Sequence, residues 1–176
     1  MQRRLPGSVL QYDVSQPGAA ETLFTALFAG GDLMLAQVAH ISGLETYVIQ
    51  NWVARGFLPP PVNKRYSRRQ LCRILIIHML RSVLPLDEIC RLLQYVNGHL
   101  NDTSDDLVDD SQLYIALVAL TGENAPTMQE ALKDYAEPFP GSRRRVEQVL
   151  EIMVLAYHAA VLKEQAMDKL GRLDAK

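Results

Sequence analysis

The chain has 176 residues, 48 % of them hydrophobic and 22 % charged, with a formal net charge of −2. That balance excludes disorder as the main state, and the length is enough to bury a real core in one domain or two small lobes. Two cysteines exclude a disulfide-built scaffold, and the near-neutral total, taken alone, points away from nucleic acid.

Arg3 and Arg4 open the chain without an apolar stretch of signal-peptide length behind them. Pro17, Gly18, Gly30 and Gly31 bracket a helix over about 19–29, and Asp32 is placed to cap the next one. Leu35, Val38 and Ala39 follow helical spacing before Ser42 and Gly43 interrupt it. A second short helix runs from about Glu45 to Ala54, with Val48, Ile49 and Trp52 inward, and ends at Arg55-Gly56. Pro59-Pro60-Pro61 forces extended chain. Ser67 caps a third helix over about 68–83, and Pro85 separates it from a fourth over 86–95. The acidic stretch 101–110 is too polar to pack by itself. Helices over 111–120, 128–135 and 142–170 complete the chain. Strands are expected only as short pieces near Phe57 and Arg65-Tyr66. The longest apolar run, Ile152 to Leu162, is interrupted by His158 and is far shorter than the roughly 20 residues of a membrane span. These features place the chain in the cytoplasm, away from membranes.

Charge by segment changes the first impression. Residues 35–99 hold eight bases against three acids, net +5, and residues 100–142 hold one base against nine acids, net −8. A basic block beside an acidic one is the pattern of a nucleic-acid surface followed by its electrostatic opposite, although solvated surface charge also alternates.

Two short helices around a glycine turn have the form of a helix-turn-helix. The ordered series Ala39-xxx-Gly43-Leu44, Trp52, Gly56-Phe57-Leu58-Pro59, Lys64-Arg65-Tyr66-Ser67 and Leu86-Asp87-Glu88-Ile89-xx-Leu92-Leu93 resembles the MerR-type winged helix-turn-helix over roughly residues 33–97. Ile49-Gln50-Asn51-Trp52, Ile76-Ile77-His78-Met79-Leu80 and Tyr95-Val96-Asn97-Gly98 look like one uncharacterised bacterial family of MerR-like proteins. The resemblance implies an all-α fold: a MerR-like winged helix-turn-helix lobe followed by a helical C-terminal lobe with a long terminal helix. It divides the chain into an N-terminal helical extension (1–32), a DNA-binding domain (33–99) and an acidic segment plus helical lobe (100–176). It also implies binding of double-stranded DNA in transcription regulation. Gln50 and Val48 stand where MerR regulators usually carry arginine and threonine, and only ten positions separate Gly56 from Tyr66, a short wing. The promoter-twisting mechanism of that family is therefore not implied.

On the helix near 45–54, Thr46, Tyr47, Gln50 and Asn51 face away from the apolar side. Gln and Asn can pair with the adenine N6/N7 edge, and Thr can meet the thymine methyl; the plain alternative is a set of exposed polar residues. Arg55, Lys64, Arg65, Arg68 and Arg69 are the candidate phosphate contacts, with the amides after Ser67 as a second source of positive potential. Trp52 and Tyr66 are assigned to packing.

Cys72 and Cys90 lie 18 residues apart with no CxxC or Cys/His cluster, so they are read as packed helix cysteines. The aspartates of 102–110 lack the alternation, glycine and terminal Glu of an EF-hand, and contact with a basic surface suits them better. No metal, cofactor or catalytic apparatus is read, so an enzyme is not expected. From Val146 onward apolar residues nearly encircle the last helix between 152 and 162, which calls for cover on more than one side: by the chain's own helices or by a homodimer partner. The rival function is a protein-interaction adaptor that keeps the fold without binding DNA.

Overall fold

The structure, a computed structural model, describes residues 2–16 and 18–173. Among the described residues the fold is mostly helical: β1 (Gln2–Arg4), β2 (Gln11–Asp13), α1 (Ala19–Leu27), β3 (Leu33–Met34), α2 (Leu35–Ser42), α3 (Thr46–Ala54), β4 (Arg65–Tyr66), α4 (Arg68–Leu80), α5 (Leu86–Asn97), α6 (Asp110–Leu120), α7 (Met128–Ala131) and α8 (Ser142–Gly171). No helix among these residues is long and apolar enough to cross a membrane.

Helix α4 is the centre of the fold. Residues 70–77 are all buried, including Leu71, Ile74, Leu75, Ile76 and Ile77 around the whole circumference. A helix apolar on every side must be covered on every side. Here α2, α5, α6 and α8 all pack against it. Each of those aliphatic side chains stabilises the fold by about 1.5–3 kcal/mol on burial. The sequence pattern points instead to 152–162 as the encircled stretch. In the structure Ile152, Leu155 and Leu162 of α8 stay exposed, because the core meets only one side of that helix.

One hydrophobic cluster runs from Leu5 to Tyr157, so the N-terminal segment, α2 to α5 and the C-terminal helices share a core. Tyr114 of α6 shows the connection: its ring meets Phe24 of α1 edge-on, and its hydroxyl donates to the Pro6 carbonyl at 2.6 Å.

Several expectations need correction. The N-terminal segment is not purely helical, since β1 and β2 form an antiparallel hairpin with Arg3 opposite Tyr12. Strands of only three residues, Gln-Arg-Arg and Gln-Tyr-Asp, carry no readable alternation. No strand forms at Phe57; the partner of β4 is β3, with Leu33 opposite Tyr66. Asp32 does not cap α2. Instead Met34 is the N-cap residue, and its amide donates to Gln37 Oε1 at 2.8 Å. Helix α7 stops at Ala131 rather than 135, and the Arg143 guanidinium donates to the Leu132 and Tyr135 carbonyls in the turns that follow it. Helix α4 ends at Leu80, three residues early, in a turn leading to Pro85.

Candidate nucleic-acid interface

Helices α2 and α3 meet across Gly43, which takes φ 72° to close α2 by donating from its amide to the Ala39 carbonyl. A side chain there is excluded twice. The left-handed backbone disfavours it, and a Cβ would lie 2.8 Å from Val9 Cγ1. Ile49 and Trp52 anchor α3 in the core, with Val48 half-buried beside them. The opposite face of α3 carries Thr46, Tyr47, Gln50 and Asn51, all exposed, with Tyr47 67 % accessible.

The loop from α3 to β4 is held by two buried polar side chains of α4. Gln70 Nε2 donates to the Pro59 and Pro60 carbonyls at 3.1 and 2.9 Å, and Arg73 Nε donates to the Phe57 carbonyl at 3.1 Å. The chain then reverses in a two-residue hairpin. Val62 and Arg65 exchange both backbone hydrogen bonds, and Asn63 and Lys64 take φ 50° and 61°. Positive φ at both central residues is the hairpin turn whose twist matches antiparallel strands. It presents the exposed Lys64 at its tip. β4 carries the turn back onto α2 and buries Tyr66, which like Trp52 lies in the shared core as expected.

The five candidate phosphate cations separate into two groups. Arg55, Lys64 and Arg65 are exposed and join no ion pair among the described residues. Arg55 stacks over the Phe57 ring at 4.6 Å, and Arg65 Nη1 donates to the Asp32 carbonyl at 2.9 Å, which fixes both stems without neutralising either charge. Arg68 and Arg69 are engaged elsewhere. Arg68 Nη2 lies 2.5 Å from Glu21 Oε2, with its guanidinium over the Phe24 ring. Arg69 Nη2 lies 2.5 Å from Asp106 Oδ2, and its Nε is 3.5 Å from Asp110. The amides after Ser67 are also partly taken, since Ser67 and Gln70 form a reciprocal capping box.

The acidic segment is thus a docked element. Leu107 and Val108 are buried, and the Leu107 amide donates to the Val96 carbonyl at 2.7 Å. Asp110, 1 % exposed at the start of α6, receives Arg73 Nη1 at 3.3 Å and Asn97 Nδ2 at 2.8 Å. Arg73 is itself only 4 % exposed, inside the apolar α4. Burial pushes the Asp106 carboxyl up even with the Arg69 guanidinium beside it. Contact with a basic surface of the same chain was foreseeable from the −8 block. The role of Arg73 as its buried partner was not, because a lone arginine in an apolar helix has no pattern of its own.

Cys72 is fully buried, with its thiol pushed far up by desolvation, and Cys90 is half-buried. Neither is placed as an exposed thiolate.

Comparison with known proteins gives two matches. A family profile described as a domain of unknown function, DUF1836, matches residues 31–117. A curated relative from Bacillus subtilis (strain 168), "Uncharacterized protein YkrK", is 29 % identical over 112 residues, covering 58 % of this chain and 48 % of that protein. The matched stretch therefore spans about half the length of that relative. No solved structure matches significantly. The chain is thus similar, over α2 to α5, the acidic segment and most of α6, to the domain of unknown function DUF1836.

Proposed function

We propose that the chain is a non-catalytic, cytoplasmic protein of MerR-like winged helix-turn-helix type that binds double-stranded DNA and regulates transcription. In this reading α3 enters the major groove. Tyr47 and Gln50 reach base edges from the centre of its outward face, with Thr46 and Asn51 on either side. Arg55, Lys64 and Arg65 meet phosphates next to it and set register without reading sequence. The observation that carries the reading is the pairing of a wholly exposed polar face on α3 with an adjacent lysine-tipped hairpin whose cations are unpaired. Arg68 and Arg69 leave the phosphate set, because carboxylates of the same chain already neutralise them.

The experiment is selection from a randomised duplex pool with purified protein. An enriched motif that weakens at one position on Gln50→Ala supports base readout. Loss of affinity across all sequences on Lys64→Ala supports a phosphate role. Absence of any duplex binding refutes the reading.

A second reading, a protein-interaction adaptor on the same fold, is favoured by one observation: three arginines of the basic block, Arg68, Arg69 and Arg73, are paired internally, which lowers the positive potential left for DNA.

A further inference from the structure

The turn between β1 and β2, the end of α4 and the second half of α8 enclose a cleft of about 510 Å³, a size that holds a small molecule. Its floor is apolar: Leu5, Pro6, Met79 and Tyr157 are buried, and Val161 is half-buried. The N-terminal wall is fixed from behind, which holds the cleft open. The Pro6 carbonyl accepts from the Tyr114 hydroxyl at 2.6 Å, and the Gly7 carbonyl accepts from His78 Nδ1 at 3.0 Å. The Val9 amide donates to the Ile41 carbonyl at 2.9 Å. Two cations stand on the rim. Arg4 is exposed, and its side chain joins no hydrogen bond or ion pair among the described residues. Lys163 donates to the Ser82 carbonyl at 3.0 Å, which leaves the other N–H groups of its ammonium for a ligand. Behind the floor, Arg3 donates to the Tyr157 hydroxyl at 2.8 Å and adds a third positive charge. Glu164 is the one acid among the described lining residues.

We propose that this cleft binds a small amphipathic carboxylate, with its head group between Arg4 and Lys163 and its aliphatic or aromatic body on Leu5, Met79 and Val161. The occupant follows from charge and surface together. Like charges lining one cleft focus a positive potential and draw an anion. The free Arg4 fork matches a carboxylate with two parallel hydrogen bonds, and Lys163 adds a point charge. Glu164 on the same rim opposes a second negative charge, which selects a monoanion over a phosphate ester. The apolar floor selects against an inorganic anion, which would leave it bare to water. The larger cleft between α5 and α8, about 820 Å³, lacks this signature, because its Arg91 is paired with Glu88 on the same wall. Residues 4–8 and α8 lie outside the stretch 31–117 matched by the family profile, so the site is built mostly from segments the profile does not cover. None of its residues belongs to α3 or the hairpin, so the site stands or falls independently of DNA binding.

Isothermal titration of the full chain tests it, with decanoate and 4-phenylbutyrate as probes, both below their micelle concentrations. Decylammonium supplies the decanoate body with the opposite charge, and sulfate supplies an anion without a body. At least one carboxylate binds with one-to-one stoichiometry, decanoate more than about tenfold tighter than decylammonium, and sulfate gives no saturable heat. Arg4→Gln and Lys163→Gln, both at exposed sites outside the core, each weaken binding several-fold while helical circular dichroism is unchanged. Ala160→Trp fills the cleft from α8 and abolishes binding without touching a charge. Amide shifts on titration centre on Ser8 and Ser82, which face each other across the site. Equal affinity for decanoate and decylammonium overturns the proposal, as does binding indifferent to the Arg4→Gln, Lys163→Gln double variant. Saturable binding of neither carboxylate below about 1 mM, or shifts centred on the α5–α8 cleft, overturns it equally.

Discussion

Replacing Asp110 by asparagine isolates the buried network that fastens the acidic segment to α4. In the native fold its carboxylate faces Arg73 Nη1 at 3.3 Å, Arg69 Nε at 3.5 Å and Asn97 Nδ2 at 2.8 Å, with 2 % of the side chain exposed. Asparagine keeps the shape but removes the charge and turns one acceptor into a donor that opposes either Arg73 or Asn97. Breaking a buried pair from one side costs about 3–5 kcal/mol, because the remaining ion is left uncompensated. Since asparagine retains one acceptor and Arg73 keeps its bond to the Phe57 carbonyl, the lower end, about 3 kcal/mol, is expected. That is a large share of the roughly 5–15 kcal/mol that holds a domain together. With a urea slope near 2 kcal/mol/M, the unfolding midpoint should fall by about 1.5 M. Asp102→Asn in the same segment, exposed and bonded only to Ser104, leaves the midpoint unchanged. Adding Arg73→Met to Asp110→Asn should recover more than half of the loss, since it removes the stranded cation. A midpoint shift for Asp110→Asn below about 0.4 M, or strict additivity in the double variant, would refute the reasoning.

Three other outcomes follow from particular contacts. Gly7→Ala places a Cβ 2.1 Å from the Leu75 carbonyl oxygen at φ +69°, so it should destabilise by about 2 kcal/mol or more; an unchanged Tm contradicts this. Lys64→Gly relieves a left-handed non-glycine residue, raising stability by about 0.5–1 kcal/mol in urea titrations, while it lowers duplex affinity and reduces the salt slope by about one. Burial lowers the His78 imidazole pKa, against the pull of its 3.0 Å contact with the Gly7 carbonyl. The unfolded chain then binds more protons, so stability is full above the ordinary value of 6.5 and falls as pH drops below it. His78→Gln should flatten urea midpoints measured between pH 7.5 and pH 5.5, and an unaltered slope would exclude His78 as their source.

Local signals were legible where they were long or chemically sharp. The Gly43 turn, the Ser67 cap and the Pro85 break placed α2 to α5 within a few residues, and Trp52 and Tyr66 fell in the core as read. The outward face of α3 was legible for the same reason, since Ile49 and Trp52 define the inner side at helical spacing. What failed depended on distant partners. The β1–β2 hairpin is too short for periodicity, and the turns after α7 are bonded to an arginine at position 143. The pairing of Arg68 and Arg69 is invisible locally because their acidic partners, Glu21 and Asp106, lie 47 and 37 positions away in sequence. Net charge misled for the same reason: the opposing blocks are bonded to each other through Arg69 and Arg73, so neither their sum nor their separation describes the surface.

Duplex affinity measured as a function of salt tests the central claim most directly, using the motif enriched from a random pool. If Arg55, Lys64 and Arg65 are the phosphate contacts, log K falls linearly with log salt concentration with a slope of about −2.7 per chain, and Gln50→Ala relaxes sequence preference without changing that slope. No enriched motif together with a slope indistinguishable from zero would contradict the account and leave α3 as a surface for another protein.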